Sequence, residues 1–124
     1  MPKRVLDVGQ CGPDHSTIQS YLNRNFNCEV VQTHGADDTL EQLRSGRFDL
    51  VLVNRKLDAD YSDGLEIIRK IKADRAIADV PVMLVTNYPE HQETAVAAGA
   101  VRGFGKLEFE KPETRDRLAA VLGD

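Results

Sequence analysis

The chain predicts an α/β domain, a (βα)5 doubly wound parallel sheet, and three observations carry that reading. Five short apolar runs recur along the sequence, residues at helical spacing stand between them, and the breaks fall where caps and turns are wanted. Alternating strands and helices build a parallel sheet covered on both faces.

The elements follow in order. RVLDVG (4–9) is the first strand, expected at a central position in the sheet. Pro13 can open the first helix because its missing N–H has no partner there anyway, and Asp14, in the turn-rich stretch GPDHS, is placed to cap it. Ile18, Tyr21, Leu22 and Phe26 mark that helix's apolar face, and CEVVQT (28–33) is the second strand. Leu40 and Leu43 belong to a second helix that Gly46 ends. DLVLVN (49–54) is the third strand. It ends in Asn54 and turns at once into charge at Arg55 and Lys56, which are expected to project into solvent and would suit a phosphate or an acidic partner. Asp63, before Gly64 and Leu65, is an N-cap candidate for a helix marked by Leu65, Ile68 and Ile71. VPVMLV (80–85) is the fourth strand, with Pro81 where proline costs least, and VRGFG (101–105) is the fifth. In such sheets a ligand site lies beyond the carboxyl ends of the strands, which directs attention to Gly9, Gln10, Asn54, Thr86 and Lys106.

Composition narrows the function. At 124 residues the chain has room for one packed core, so residues 1–124 are read as a single domain. No apolar run approaches the ~20 residues of a membrane span, and Asp7 interrupts the N-terminal stretch before it could serve as a secretory signal. The expected location is the cytoplasm, with Cys11 and Cys28 as free thiols. The net charge of −4 and the lack of a dense Lys/Arg cluster argue against direct nucleic-acid binding. There is no GxGxxG, no GxxxxGK[ST] and no hydroxyl-rich glycine loop, so no cofactor is expected. Cys11 to Thr17 lacks the arginine a phosphatase loop would carry at its end, and His15, His34 and His91, without metal-ligand spacing, read as surface histidines.

Read together, KRVLDVG, FDLVLVN followed by an irregular loop and DGLEIIRKIK, then VPVMLVTN, then AVAAGAVRGFGK resemble the receiver domain of bacterial response regulators (CheY-like). The resemblance spans nearly the whole chain. It implies a flavodoxin-like sheet in strand order 2-1-3-4-5. It also implies a phosphorylation site: an acceptor aspartate ending the third strand, an acidic pair ending the first that holds Mg²⁺, a Thr or Ser ending the fourth and a Lys ending the fifth. Thr86 and Lys106 match, and Phe104 falls where the family's rotating aromatic partners that Thr. The acids do not match. The pair falls on Gly9 and Gln10, and the acceptor falls on Asn54. The loop departs as well, with Asp58 in place of a proline and Gly64 about two residues late, and Leu107 stands where a proline commonly follows the lysine.

The missing acids decide the chemistry. An acyl phosphate forms when a carboxylate attacks phosphorus with a dication neutralising the equatorial oxygens. A neutral amide is a poor nucleophile, and Mg²⁺ favours oxygen ligands that typically include carboxylates. Asn54 is therefore expected to keep the shape and hydrogen bonding of the site while removing its chemistry, with metal affinity weak.

Lys106 then needs another partner: the Asn54 carbonyl, a backbone oxygen, water or another carboxylate. Asp7 shares a strand face with Gly9, and the simpler expectation is that it is hydrated or bonded to a hydroxyl near the strand's open end. The sharper one is a contact from Asp7 to Lys106 or Thr86 that holds the site closed.

The resulting expectation is an atypical or pseudo-receiver, not an enzyme: a protein-interaction module of a two-component-type pathway acting without aspartyl phosphorylation. Thr86 with Phe104 would be its switch. A protein partner, or a homodimer through the face of the fourth helix, fifth strand and fifth helix, is implied by the resemblance. The alternative is a phosphorylatable receiver using a surrogate acid in the acidic loop, Asp58 or Asp60, with Asp7 on the metal; the simpler reading of Asp58, Asp60 and Asp63 is a solvated turn.

Overall fold

The computed structural model describes residues 2–123. Its elements alternate: β1 (Lys3–Val8), α1 (Gly12–Asn25), β2 (Cys28–Thr33), α2 (Ala36–Ser45), β3 (Leu50–Asn54), α3 (Gly64–Ala73), β4 (Val82–Val85), α4 (Pro89–Ala97), β5 (Val101–Phe104) and α5 (Pro112–Leu122). The five strands form one parallel sheet in order β2-β1-β3-β4-β5, the flavodoxin-like arrangement. β3 is thus the middle strand, and β1 lies between it and β2.

Because side chains alternate across a strand, each strand feeds two cores. Leu6, Val8, Val51, Val53, Val82 and Leu84 meet Leu43 of α2, Ile67, Ile68 and Ile71 of α3, and Ala95 of α4. Val5, Leu50, Leu52, Met83, Val85 and Phe104 meet Ile18, Tyr21 and Leu22 of α1 and Leu118 and Leu122 of α5. The apolar spacings that mark the first three helices are the faces they bury, with Leu40 only partly covered.

Local signals hold with two changes. Asp63 caps α3, accepting the Leu65 N–H at 3.0 Å, and Gly46 ends α2 in an extended conformation rather than a left-handed one. Asp14 does not cap α1. Cys11 takes the N-cap position without a side-chain bond, Pro13 lies in the first turn, and Asp14 within that turn is free to serve another element.

α4 shows no apolar spacing because its buried face is built from Gln92 and Ala95. Between β4 and β5 the register shifts, Met83 pairing Val101 but Val85 pairing Phe104. The Gln92 amide bridges that irregularity, donating to the Leu84 carbonyl at 2.9 Å and the Thr86 carbonyl at 3.3 Å and accepting from the Gly103 N–H at 2.8 Å. A buried side chain thereby supplies the pairing that the bulged ladder lacks.

Candidate functional site

The carboxyl ends of β3, β4 and β5 converge on a cleft of about 310 Å³ lined by Asn54, Arg55, Lys56, Thr86, His91 and Lys106, among others. Of the residues expected there, Asn54, Thr86 and Lys106 line the cleft, whereas Gly9, Gln10 and Asp7 lie off it.

Asn54 ends the middle strand, and its side-chain nitrogen donates to two carbonyls, Gly9 O at 3.2 Å and Lys56 O at 2.6 Å. Both partners can only accept, so the nitrogen assignment follows from the network itself. The amide ties the end of β1 to the loop after β3. A carboxylate could not make either bond while ionised. The Gly9 carbonyl also accepts the Asp58 N–H at 2.9 Å, and Gly64 N–H donates to Arg55 O at 2.9 Å, so the loop is pinned at both ends.

That loop lays Leu57 across Gly9. Leu57 is buried, Gly9 has φ of +77°, and a Cβ at position 9 would stand 3.3 Å from the Leu57 Cα and closer still to its side chain. A side chain there would be strained by the backbone conformation and crowded by Leu57. Gln10 beside it is buried with neither amide atom hydrogen-bonded.

Asp7 corrects the sequence reading. It is completely buried, bonded neither to water-exposed hydroxyl nor to Thr86 or Lys106, and its Oδ2 stands 2.6 Å from Nδ1 of His15 in the first turn of α1. Its other oxygen has no hydrogen-bond partner. Burial raises its pKa to about 6; His15, the neighbouring Gln10 amide and the more distant Lys106 charge only partly oppose that rise. The Gln10 amide is near enough to favour the carboxylate but lacks hydrogen-bond geometry.

His15 is therefore largely covered, and His91, half-exposed at the cleft, has its Nδ1 3.2 Å from Thr86 Oγ1. The same oxygen accepts the Tyr88 N–H at 3.3 Å, so Thr86 is held toward the start of α4. Phe104 is fully buried beneath it, its ring 5.6 Å from that of Phe109. Lys106 finds another carboxylate, one from α1: its Nζ lies 2.7 Å from Asp14 Oδ2, and this bond draws the Asp14 pKa below the usual range. Asp58 and Asp60 are exposed, the latter holding Ser62 through its N–H at 2.9 Å and hydroxyl at 2.6 Å. Among the described residues no group of three or more His, Cys, Asp or Glu is arranged to hold a metal ion.

Residues 14–122 match the family model described as the response regulator receiver domain. ZraR, a transcriptional regulatory protein of Escherichia coli strain K12, is 34% identical over 109 residues, which cover 87% of this chain and 23% of ZraR; the chain spans about a quarter of that relative. Among solved structures, a response regulator from Chloroflexus aurantiacus superposes with a TM-score of 0.84 at 18% identity, covering all of both chains. The receiver domain of the sensor histidine kinase PA1611 from Pseudomonas aeruginosa, with a magnesium ion in its active-site cleft, gives 0.80 at 20% identity, again over all of both chains. The activated receiver domain of RstA from Klebsiella pneumoniae gives 0.79 at 21% identity, over 98% of this chain and 100% of that one.

Proposed function

Because this chain belongs to the response regulator receiver domain family, we propose that it is a signalling module of a two-component system that acts by binding protein partners and not by phosphorylation of its third strand. One observation carries the reading: the Asn54 amide donates to two carbonyls that an ionised acceptor aspartate could not satisfy. The position that the family uses for phosphate is here a structural tie.

A magnesium ion does not fit the residues present. Gly9 has no room for a carboxylate beneath Leu57, the Asn54 nitrogen faces carbonyls, and Gln10 contributes at most a neutral oxygen. The nearest acid on β1, Asp7, turns to His15 on the α1 side.

Thr86 and Phe104 remain as the switch. In this reading a partner that prefers one arrangement of α4, β5 and α5 shifts the population, as any ligand with differential affinity does. Tyr88, Val96 and Val101 are exposed apolar residues on or beside that surface, which supports it as the contact face, including a homodimeric contact.

The test is intact mass after incubation with Mg²⁺ and a small acyl phosphate, followed by peptide mapping. No adduct is expected. An adduct on Asp58 or Asp60 would establish the surrogate-acceptor alternative in its place.

A further inference from the structure

We infer that the cleft at the strand ends receives an acidic side chain of a protein partner, held by Arg55 and Lys56 and flanked by an apolar contact on Tyr88 and Leu107. The inference rests on the partner-binding reading above and names the chemistry of that partner.

The cleft has kept cations and lost acids. Its lining includes Arg55, Lys56, Lys106 and His91 but no Asp or Glu. Lys106 is neutralised by Asp14. Arg55 and Lys56 form no ion pair with any described residue, on a chain whose net charge is −4. Two uncompensated cations at the mouth of a concave site favour an anion, and their guanidinium and ammonium groups suit a carboxylate.

The backbone beneath the two cations is also held in place. The Lys56 carbonyl accepts from Asn54 and the Arg55 carbonyl accepts from Gly64, so the backbone that carries both side chains is fixed before any partner arrives. Preorganisation of this kind removes part of the ordering cost of association. Asn54 thus acts as a positioning residue, which gives its amide a use beyond stability.

The rim supplies the second contact. Tyr88 is 59% exposed and Leu107 84% exposed, large fractions for side chains of this type. The Leu107 N–H donates to Asn87 Oδ1 at 3.0 Å, and Asn87 itself lines the cleft, so Leu107 stands at its edge. A partner segment that places a Glu or Asp beside a leucine or phenylalanine matches both features. The cleft volume of about 310 Å³ accommodates a carboxylate side chain with its methylenes.

The experiment titrates ¹⁵N-labelled protein at low ionic strength with the acetylated, amidated peptide Leu-Glu-Asp-Phe and with its neutral counterpart Leu-Gln-Asn-Phe. Expected are shifts confined to Asn54, Arg55, Lys56, Thr86 and His91 with the acidic peptide, much smaller ones with the neutral peptide, and at least tenfold weaker binding to Arg55→Glu/Lys56→Glu. Lys70→Glu, an exposed charge reversal on α3, should bind as the parent does. Equal shifts with both peptides, no shifts with either, or unchanged affinity in the double variant would overturn the inference. So would displacement of the acidic peptide by a lower concentration of inorganic phosphate, since that marks a free-oxyanion site. A phosphoryl adduct in the mass experiment would instead sink the underlying reading, whatever the peptides do.

Discussion

Asp7 and His15 form a pair across β1 and α1, Oδ2 to Nδ1 at 2.6 Å, in which the acid has no exposed surface and the imidazole is partly covered. The carboxyl pKa stands at about 6 against an ordinary 3.8, because burial disfavours its charge. Between those values the folded state keeps a proton that the unfolded chain has released. Stability from this group is therefore present at pH 4 and falls as pH rises to about 6, then stays level. Asp7→Asn removes that dependence. Urea unfolding of both proteins from pH 4 to 7 should show the variant gaining on the parent by on the order of 2 kcal/mol across the window. Parallel profiles would show that His15 compensates the charge fully.

Asn54→Asp is expected to lose both donated bonds and set a carboxylate against two carbonyl oxygens. A loss of about 1 to 3 kcal/mol at pH 7 follows from two lost hydrogen bonds at roughly 0.5 to 1.5 kcal/mol each, with the carboxylate facing carbonyl oxygens. The deficit should shrink on acidification, because a protonated carboxyl can donate once. The same variant should gain no phosphoryl adduct from an acyl phosphate, checked by intact mass; efficient labelling would mean that the acceptor alone had been missing.

Gln92→Ala strands the Gly103 N–H and the Leu84 carbonyl at the β4–β5 bulge. A cost of roughly 2 to 4 kcal/mol is expected from two unsatisfied buried groups, read as a fall in the thermal midpoint. Amide exchange at Gly103 should accelerate in the same variant, and unchanged protection there would argue that the amide is dispensable.

The Lys106 and Asp14 pair is a half-exposed ion pair, and such pairs contribute at most about 1 kcal/mol. A double-mutant cycle with Lys106→Met and Asp14→Asn should return a coupling in that range that diminishes in 1 M salt. Its lowered carboxyl pKa gives the opposite pH sign to Asp7: the coupling is present at neutral pH and disappears as Asp14 protonates.

The strands and three helices were legible because continuous apolar runs and 3.6-residue spacing record burial directly. Leu65, Ile68 and Ile71 mark α3 in that way. α4 carries no such record, since Gln92 is buried for its hydrogen bonds and not for its carbon. At the site, Asn54, Thr86 and Lys106 could be placed because each ends a readable strand. The partners of Asp7 and Lys106 could not. His15 and Asp14 sit in adjacent positions of one helical turn yet serve different strands, and Lys106 is 92 residues from Asp14, so only the packing angle of α1 brings these pairs together. Leu57 was hidden by the charge around it, although one buried leucine in a polar loop is the kind of residue that signals a loop folded inward.

The Leu57 packing on Gly9 also bears on reversibility. Two of the three acids that the family resemblance would place here are opposed by separate neighbours: position 54 by two carbonyls, position 9 by the leucine and by its own backbone conformation. A substitution at either position therefore disturbs packing or hydrogen bonding before it adds a carboxylate. Under the proposed function, installing a carboxylate at position 9 or 54 thus calls for a compensating change in the Leu57 loop made at the same time.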